Sequence, residues 1–313
     1  MVVMKVFKYT LDNKRYHTLN YFYKMKFGTK VFKLSLNGGF SCPNLDGTVG
    51  YGGCIYCSKT GSGEFGGDRS KSLSEQVEDM KKIVNKKQIP CKYIGYFQAR
   101  TNTHASVDIL KKKYEEVLSC SDIIGLNIAT RCDAISDECL EYLTELNKKT
   151  FLTIELGLQT IHKKTSELIN RCHSLDDFDL MVKKLRERHI KVVVHIINGL
   201  PYEDEVMMLE TVKHLNKLDI QGIKIHMLHI IKDTEMAKLY LQEKFHVLSK
   251  EEYIDIVIKQ LELLRPEIVV NRITSDPDKE LLIEPSWLLK KCSLLNDIDK
   301  EMKKRNTYQG NNL

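Results

Sequence analysis

The chain lacks the features of membrane and secreted proteins. None of its 313 residues belongs to an apolar run approaching the ~20 residues of a membrane span. The first ten residues, MVVMKVFKYT, contain no apolar segment ahead of a small-residue cleavage site, so we expect no signal peptide. No internal repeat or low-complexity linker is visible either. We therefore predict a cytoplasmic protein with one large catalytic domain, because this length fits a single α/β barrel with short appendages.

The cysteine pattern lacks a fourth metal ligand. Cys42, Cys54 and Cys57 lie in the segment CPNLDGTVGYGGCIYC, and no CxxC or HxxxH pair occurs elsewhere. A closed structural zinc site normally has four Cys or His ligands, whereas a [4Fe–4S] cluster held by three cysteines keeps one iron free to bind a small molecule. We predict such an open cluster, with zinc as the alternative. The other six cysteines have no ligand spacing and are interpreted as core or surface residues.

Positive charge is concentrated in the first 30 residues. The net charge of the chain is +6, and residues 1–30 carry seven lysines and arginines against Asp12 alone. Seven phenylalanines and tyrosines are interleaved with them. This mixture suits phosphate contacts and base stacking on single-stranded RNA. The alternative is a basic segment whose aromatic side chains pack on the rest of the protein.

Short β-rich runs then alternate with amphipathic helical patterns. The six predicted strands are 31–37, 92–98, 123–130, 151–159, 192–199 and 223–230. Such alternation indicates βαβ units and a parallel sheet. We predict an α/β fold, a partial (β/α)6 barrel over 31–250, between a basic arm at 1–30 and a C-terminal extension at 251–313 with one more β-like run at 268–273. The first strand leads into the cysteine segment, which places the thiols at the C-terminal ends of the strands.

The segment LSLNGGFSCPNLDGTVGYGGCIYC at 34–57 resembles the cluster motif of the radical S-adenosylmethionine (radical SAM) superfamily, which ends in CxxC with an aromatic residue before the last cysteine. The eleven residues between Cys42 and Cys54 resemble the spacing of one branch, the YtqA/YhcC-type or MnmL-like proteins, related to the Elongator catalytic subunit. TIELGLQT (153–160), NRCHS (170–174), HIINGLP (195–201) and RNTYQG (305–310) extend the resemblance over nearly the whole chain.

The resemblance implies a radical SAM barrel and its cofactors. Cys42, Cys54 and Cys57 would bind a [4Fe–4S] cluster, which cleaves S-adenosylmethionine (SAM) to a 5′-deoxyadenosyl radical, with flavodoxin or ferredoxin as electron donor. Polar and glycine residues near the strand ends are then candidate SAM contacts: Gln98, Asn102, Thr130, Arg131, Glu155, Gln159, Arg171, His195 and Gly199. Lys224 and His226 share one face of the sixth strand, so we predict that they are catalytic residues on the substrate side.

Structural roles remain open for several of these residues. A carboxylate on an otherwise apolar parallel strand is costly to bury unless it is paired, so Glu155 in particular requires a partner. The alternatives are a helix-capping turn for Gln98 and Asn102, an ion pair with Asp133 for Arg131, a buried salt bridge with Arg171 for Glu155, and a hydrogen-bonded core position for His195.

The resemblance to the YtqA/YhcC-type branch also implies a substrate. That substrate is the wobble uridine of tRNA, whose 5-carboxymethylaminomethyl group would be converted to 5-aminomethyl. We expect tRNA as the partner, and no membrane or DNA partner. Two alternatives stay open: a radical SAM enzyme acting on a small molecule, as in porphyrinogen decarboxylation, and a non-catalytic RNA-binding module that holds zinc.

Overall fold

Seven parallel strands form a curled half-barrel. The computed structural model describes residues 7–10, 12, 14–61, 65–243 and 245–313. Its strands are β1 (Lys30–Leu36), β2 (Cys91–Phe97), β3 (Ile123–Thr130), β4 (Phe151–Gln159), β5 (Lys191–Asn198), β6 (Gly222–Met227), β7 (Ile230–Ile231), β8 (Val269–Arg272) and β9 (Leu282–Glu284). The sheet order is β1-β2-β3-β4-β5-β6-β8, with every pairing parallel. Strands β7 and β9 form a separate antiparallel pair.

Helices connect the strands and cover the outside of the sheet. They are α1 (Leu19–Phe27), α2 (Leu73–Val84), α3 (Val107–Leu118), α4 (Asp137–Lys149), α5 (Lys163–Leu168), α6 (Leu175–Glu187), α7 (Glu205–Leu215), α8 (Glu235–Glu243), α9 (Lys250–Leu263) and α10 (Lys291–Lys304). Alternation along β1 explains the two faces of the sheet. Leu34 and Leu36 are buried in the same core cluster as Val77 of α2. Lys33 and Ser35 therefore point to the opposite face, into the lumen of the half-barrel.

The predicted α/β half-barrel is confirmed, with one strand more than the six predicted units. All six predicted strands are present, with shifts of a few residues at their ends. The sixth ends at Met227 rather than at residue 230, because Ile230 and Ile231 pair with β9 instead. The β-like run at 268–273 contains β8, which pairs with β6 and extends the sheet into the range assigned to the C-terminal extension.

Helix α1 closes the N-terminal end of the half-barrel. Tyr23 is buried against Val31 and Ile94, and the partly buried Phe22 and Phe151 pack on the same cluster. Tyr9, earlier in the arm, stacks on the buried His17 with ring centroids 4.4 Å apart. These aromatic side chains pack within the protein, as in the predicted alternative to base stacking on RNA. Four lysines of this region are exposed: Lys8, Lys24, Lys26 and Lys30.

The two ends of the described chain meet beside this helix. The backbone N–H of His17 donates to Oε1 of Gln309 at 2.8 Å, and the backbone N–H of Gln309 donates to the carbonyl of Arg15 at 2.9 Å. The Gln309 amide also donates to the carbonyls of Arg265 and Ile268, which precede β8. The last residues of the chain thus anchor the arm to the strand at one edge of the sheet. Among the described residues, no helix has the length and apolar character needed to cross a bilayer.

Candidate functional site

A cavity of about 570 Å³ lies at the C-terminal ends of the strands. All three cysteines of the predicted cluster motif line it. The structure also brings eight of the other predicted site residues to its wall: Gln98, Thr130, Arg131, Glu155, Gln159, His195, Lys224 and His226. Residues from all seven strands of the half-barrel and from the cysteine loop therefore converge on one space.

The loop that carries the cysteines is tied to the segment after α5. The Asn44 amide donates to the carbonyl of Asn170 at 2.6 Å and approaches the Cys54 sulfur at 3.7 Å. In return, the Asn170 amide donates to the carbonyl of Gly53 at 2.8 Å. Gly53 has φ +75°, and a Cβ there would lie 2.9 Å from the Leu45 side chain. A side chain at this position would displace the turn that leads into Cys54.

The thiols face a positively charged neighbour. A hydrogen bond from Cys57, together with the charge of Arg131, lowers the pKa of Cys54 to about 6 even though burial opposes this. Thiolates are the form in which cysteine binds metals. In the part of the chain that the structure describes, no group of three or more His, Cys, Asp or Glu residues is arranged to hold a single metal ion.

Glu155 of β4 is the centre of a buried hydrogen-bonded network at the other end of the cavity. Its Oε1 accepts from Lys33 Nζ at 2.9 Å and from Asn127 Nδ2 at 2.7 Å. Its Oε2 accepts from His195 Nε2 at 2.8 Å and contacts Lys224 Nζ. The side chain of Glu155 has no solvent-exposed surface. Burial alone would raise its pKa, but the two lysines hold the pKa of Glu155 well below the ordinary value.

The groups around Glu155 have shifted pKa values. Burial lowers the pKa of Lys224 to about 7, although contact with Glu155 opposes this shift. Burial and the charge of Lys224 lower the pKa of His195 to about 4, so the imidazole is neutral and its Nε2–H donates to Glu155. Burial also holds the pKa of His226 well below its ordinary value, and its ring centroid lies 5.3 Å from that of His195. Lys224 is thus the one member of this trio that titrates near neutral pH.

The comparisons with known proteins assign the family. The sequence profile of the Radical SAM superfamily matches residues 50–215, which is more than half of the chain. The chain belongs to the radical SAM superfamily. The profile of the Radical SAM C-terminal domain matches residues 220–304.

Relatives of this radical SAM chain cover most of its length. It is 50% identical over 304 residues to the uncharacterized protein YtqA of Bacillus subtilis, with 97% of this chain and 94% of YtqA covered. It is 34% identical to YhcC of Escherichia coli over 88% of each chain. The predicted YtqA/YhcC-type branch is thereby confirmed.

More distant matches include a named tRNA enzyme and a solved structure. A tRNA uridine(34) acetyltransferase of Methanocaldococcus jannaschii is 24% identical over 58% of this chain and 33% of its own length. The solved structure of Methanocaldococcus infernus Elp3 with an N-terminal deletion has a TM-score of 0.65 and 17% identity, over 89% of this chain and 64% of that chain. At this identity the structural match supports the shared fold alone.

Membership of the radical SAM superfamily implies a [4Fe–4S] cluster and SAM as cofactors, and the residues present fit them. Three soft thiol donors line one cavity, one of them with a lowered pKa, and no fourth cysteine of the described residues lines it. The cavity also extends well beyond the thiols, along residues of the seven strands of the half-barrel, which leaves room for a second ligand. Thiolate donors with space beside them suit an iron–sulfur cluster that has an open coordination position.

Arg131 has an acidic partner in this radical SAM barrel. Its guanidinium donates to both carboxylate oxygens of Asp133, at 2.9 and 2.7 Å. The ion pair raised as an alternative for Arg131 is therefore present. Arg131 also lines the cavity beside the thiols, and the negative charges of Asp133 and of Cys54 and Cys42 raise its pKa although burial works against this. Contact with a SAM carboxylate stays a prediction for this residue.

Three predicted SAM contacts do not line the cavity. The Asn102 amide is buried and donates to the backbone carbonyls of Phe97 and Ala129, so it fixes the turn after β2. Arg171 is only 2% exposed, and its guanidinium donates to the carbonyls of Leu158, Thr160 and His173. Gly199 has φ +80° and lies against Met227 and Leu248. The structure favours positioning roles for these three residues. The predicted salt bridge from Glu155 to Arg171 is wrong, because the carboxylate of Glu155 is occupied by four other side chains: Lys33, Asn127, His195 and Lys224.

Replacing Arg171 distinguishes a role in holding the backbone from direct contact with SAM. We expect Arg171→Met to lower the free energy of unfolding by about 3 kcal/mol, because it leaves buried carbonyls without donors. The SAM affinity of the folded fraction should stay the same. Urea denaturation and SAM titration check both, with Arg69→Met as the control because that guanidinium is exposed. Wild-type stability combined with weakened SAM binding would instead restore a direct cofactor role.

Sequence reasoning missed Lys33, Tyr96 and Asn127. Lys224 Nζ donates to the Tyr96 hydroxyl at 2.9 Å, and both Lys33 and Lys224 lie over the Tyr96 ring. Their positions follow from the alternation of KVFKLSL and CKYIGYF, where Lys33 and Tyr96 lie on the face opposite Leu34 and Leu36 in β1 and Tyr93 and Phe97 in β2. A polar residue in the middle of a buried strand is therefore as good a candidate for a site residue as one at the end of the strand.

Proposed function

We propose that this radical SAM enzyme acts on the wobble uridine of tRNA and converts its 5-carboxymethylaminomethyl group to 5-aminomethyl. One observation carries the proposal: a single cavity has the three thiols at one end and the cationic side chains of Lys224 and Arg272 at the other. A substrate side chain that ends in a carboxylate suits this arrangement. The similarity to a tRNA uridine(34) acetyltransferase over 58% of the chain supports tRNA as the carrier of that side chain.

Cys42, Cys54 and Cys57 would hold the cluster, and polar residues at the strand ends of the same cavity would contact SAM. When bound, these cofactors would supply a two-electron oxidation: SAM would take up two electrons to give methionine and 5′-deoxyadenosine, and the carboxymethyl carbon would be oxidised to the aldehyde of glyoxylate, with water as the oxygen source. The bond between that carbon and the amine nitrogen would break, and the nitrogen would stay on the uridine as its 5-aminomethyl group. Flavodoxin or ferredoxin is the proposed source of the priming electron.

The protein's own residues would orient the side chain and manage its protons. Lys224 titrates near neutral pH and lines the cavity, so it can hold a carboxylate when protonated and accept or release a proton at Nζ. His226 lies beside it, and its Nε2 is buried and has no hydrogen-bond partner among the described residues. Such an atom can receive a proton or a hydrogen bond from a bound ligand.

The exposed lysines Lys24 and Lys26 of α1 and Lys30 at the start of β1 would contact the phosphate backbone. They lie at the N-terminal end of the half-barrel, whereas the thiols lie beyond the C-terminal ends of the strands, so a bound RNA has to reach both ends. We expect the triple change of Lys24, Lys26 and Lys30 to glutamate to weaken tRNA binding and to flatten its dependence on salt. Turnover of an isolated modified nucleoside should stay unchanged. Equal loss on both substrates would contradict a phosphate-binding role.

The decisive experiment is nucleoside analysis of tRNA from a strain that lacks the gene. The expected result is loss of the 5-aminomethyl form and accumulation of the 5-carboxymethylaminomethyl form. Wild-type protein should restore the pattern, and a Cys54→Ala variant should not. An unchanged wobble-uridine pattern would refute the tRNA proposal and leave the radical SAM assignment intact.

A further inference from the structure

The deep end of the cavity carries more positive than negative charge. Glu155 accepts from two lysines, Lys33 and Lys224. Asp276 likewise accepts from two cations, Arg272 at 3.2 Å and Lys291 at 2.8 Å. Four cations therefore share two carboxylates. A buried or half-buried cation without its own counter-ion is costly, which favours an anionic ligand at this place.

Lys224 and Arg272 are the cations of this group that line the cavity. They are paired in register on the adjacent strands β6 and β8. Lys224 is only 5% exposed, and its Nζ is held between the carboxylate of Glu155 and the hydroxyl of Tyr96. Arg272 is close enough to lower the pKa of Lys224. The two side chains thus present adjacent positive charges to one space.

This charged region lies below the strand ends. Glu155 is four residues before the end of β4, and Lys224 is three residues before the end of β6. At about 3.3 Å per residue, both lie roughly 10 Å below the edge of the sheet. The thiols are on a loop that begins after the end of β1. The region is therefore separate from the thiol end of the same cavity.

We propose that Lys224 and Arg272 form a carboxylate-binding site at the deep end of the cavity, with Glu155 as a fixed internal counter-ion, and that carboxylate binding is accompanied by uptake of a proton. The ligand is the carboxylate of the substrate side chain. The identity of that substrate rests on the proposed function, whereas the site rests on the arrangement of charges. The carboxylate of SAM is the other possible source of the same chemistry, and the experiment distinguishes the two.

The coupling to protons follows from the surroundings of Lys224. The titratable and charged groups that face it come from β1, β2, β4, β5, β6 and β8: Lys33, Tyr96, Glu155, His195, His226 and Arg272. Among them only Glu155 is negative. Lys224 has a pKa of about 7 without a ligand, and a carboxylate placed beside it raises that value. Binding is therefore strongest below pH 7 and weakens as the pH rises through the pKa of the free site.

Calorimetric titration of the cluster-loaded protein with SAM bound tests the proposal. The probes are 5-carboxymethylaminomethyluridine, 5-aminomethyluridine and sarcosine, which is a free N-alkylglycine. We expect the carboxylate-bearing nucleoside to bind about 10- to 100-fold more tightly than the aminomethyl nucleoside at pH 6.5. The preference should shrink at pH 8.5, and buffers of different ionisation enthalpy should reveal proton uptake.

Variants test whether Lys224 and Arg272 cause the preference for the carboxylate-bearing nucleoside. Lys224→Met and Arg272→Met should each remove most of the preference, whereas Lys238→Met on the exposed face of α8 should keep it. Because Lys224→Met alone changes the charge around Glu155, the double variant Lys224→Met/Glu155→Gln removes a positive and a negative charge together and serves as the second test. It should fold and should bind both nucleosides equally at both pH values.

The outcomes separate this proposal from the tRNA proposal. Equal binding of the two nucleosides, or a preference that survives Lys224→Met and Arg272→Met, would overturn the site. Weakened SAM binding in these variants, with sarcosine competing against SAM, would assign the site to the SAM carboxylate and overturn the substrate assignment. Binding of sarcosine that depends on Lys224, without binding of either nucleoside, would support the site and refute uridine as its substrate. No binding of any probe would overturn the site.

Discussion

Replacing Cys54 by alanine should give a colourless protein that does not cleave SAM. Removing one of three thiolates leaves the cluster with two protein ligands, so the loss should exceed the about 10- to 100-fold that changes in the outer coordination sphere cost. The thiol of Cys54 is the one whose pKa is lowered to about 6, and it lines the cavity with Cys42 and Cys57. Iron content, visible absorbance and 5′-deoxyadenosine formation after anaerobic reconstitution measure the effect.

The matched control is Cys292→Ala, because Cys292 is an exposed cysteine at the start of α10. It should keep about four irons per chain, as expected for a [4Fe–4S] cluster, and should cleave SAM at the wild-type rate. Retention of iron and of SAM cleavage by the Cys54→Ala variant would disprove the assigned cluster site. One equivalent of zinc in the wild-type protein, with no iron after reconstitution, would favour the zinc-binding alternative.

Replacing Glu155 by glutamine should strongly destabilise the protein. The change leaves Lys33 and Lys224 without their counter-ion and interrupts the hydrogen bond from His195. Breaking a buried ion pair from one side typically costs about 3–5 kcal/mol. We therefore expect the free energy of unfolding, measured by urea denaturation at pH 7, to fall by about that amount. Asp122→Asn, which breaks an exposed pair with Lys92, should change it little.

The loss of stability caused by Glu155→Gln should decrease as the pH falls. The pKa of Glu155 in the folded protein lies well below its ordinary value of 4.5, so its ionised form stabilises the fold above that value. This contribution is lost as the pH falls through the lower pKa of the folded state. The difference between wild type and Glu155→Gln should therefore be largest near neutral pH and shrink below about pH 4. A difference that is small at pH 7 and independent of pH would show that Glu155 is not the ionised centre of the network.

Local patterns were sufficient to predict the sheet and the position of the thiols. The alternation of β-rich runs with amphipathic helices specifies parallel βαβ units, and a parallel strand ends at the edge where the following loop begins. Cys42, Cys54 and Cys57 could be placed at that edge because they follow the first strand directly. Glu155 could be identified as a residue that requires partners, because the cost of an unpaired buried carboxylate does not depend on the fold.

The partners of Glu155 could not be predicted, because they depend on the curvature of the sheet. Lys33 is 122 positions from Glu155 and reaches it across the lumen from β1. Nothing in the local sequence distinguishes such a contact from the predicted salt bridge with Arg171, which instead donates to three backbone carbonyls. The placement of Asn102 and Gly199 outside the cavity has a similar cause. A residue near a strand end can support the backbone of a loop as readily as it can face the ligand.

The contact between the two ends of the chain has a consequence for synthesis. His17 and Gln309 are 292 positions apart. Because a ribosome adds roughly 5–20 residues per second, Gln309 is synthesised roughly 15–60 s after His17. Phe151, on which α1 packs, is translated about midway through the chain. The contacts of the arm at the N-terminal end of the barrel therefore cannot be completed before Gln309 has been synthesised. During that interval the arm lacks the hydrogen bonds with Gln309 that anchor it beside β8.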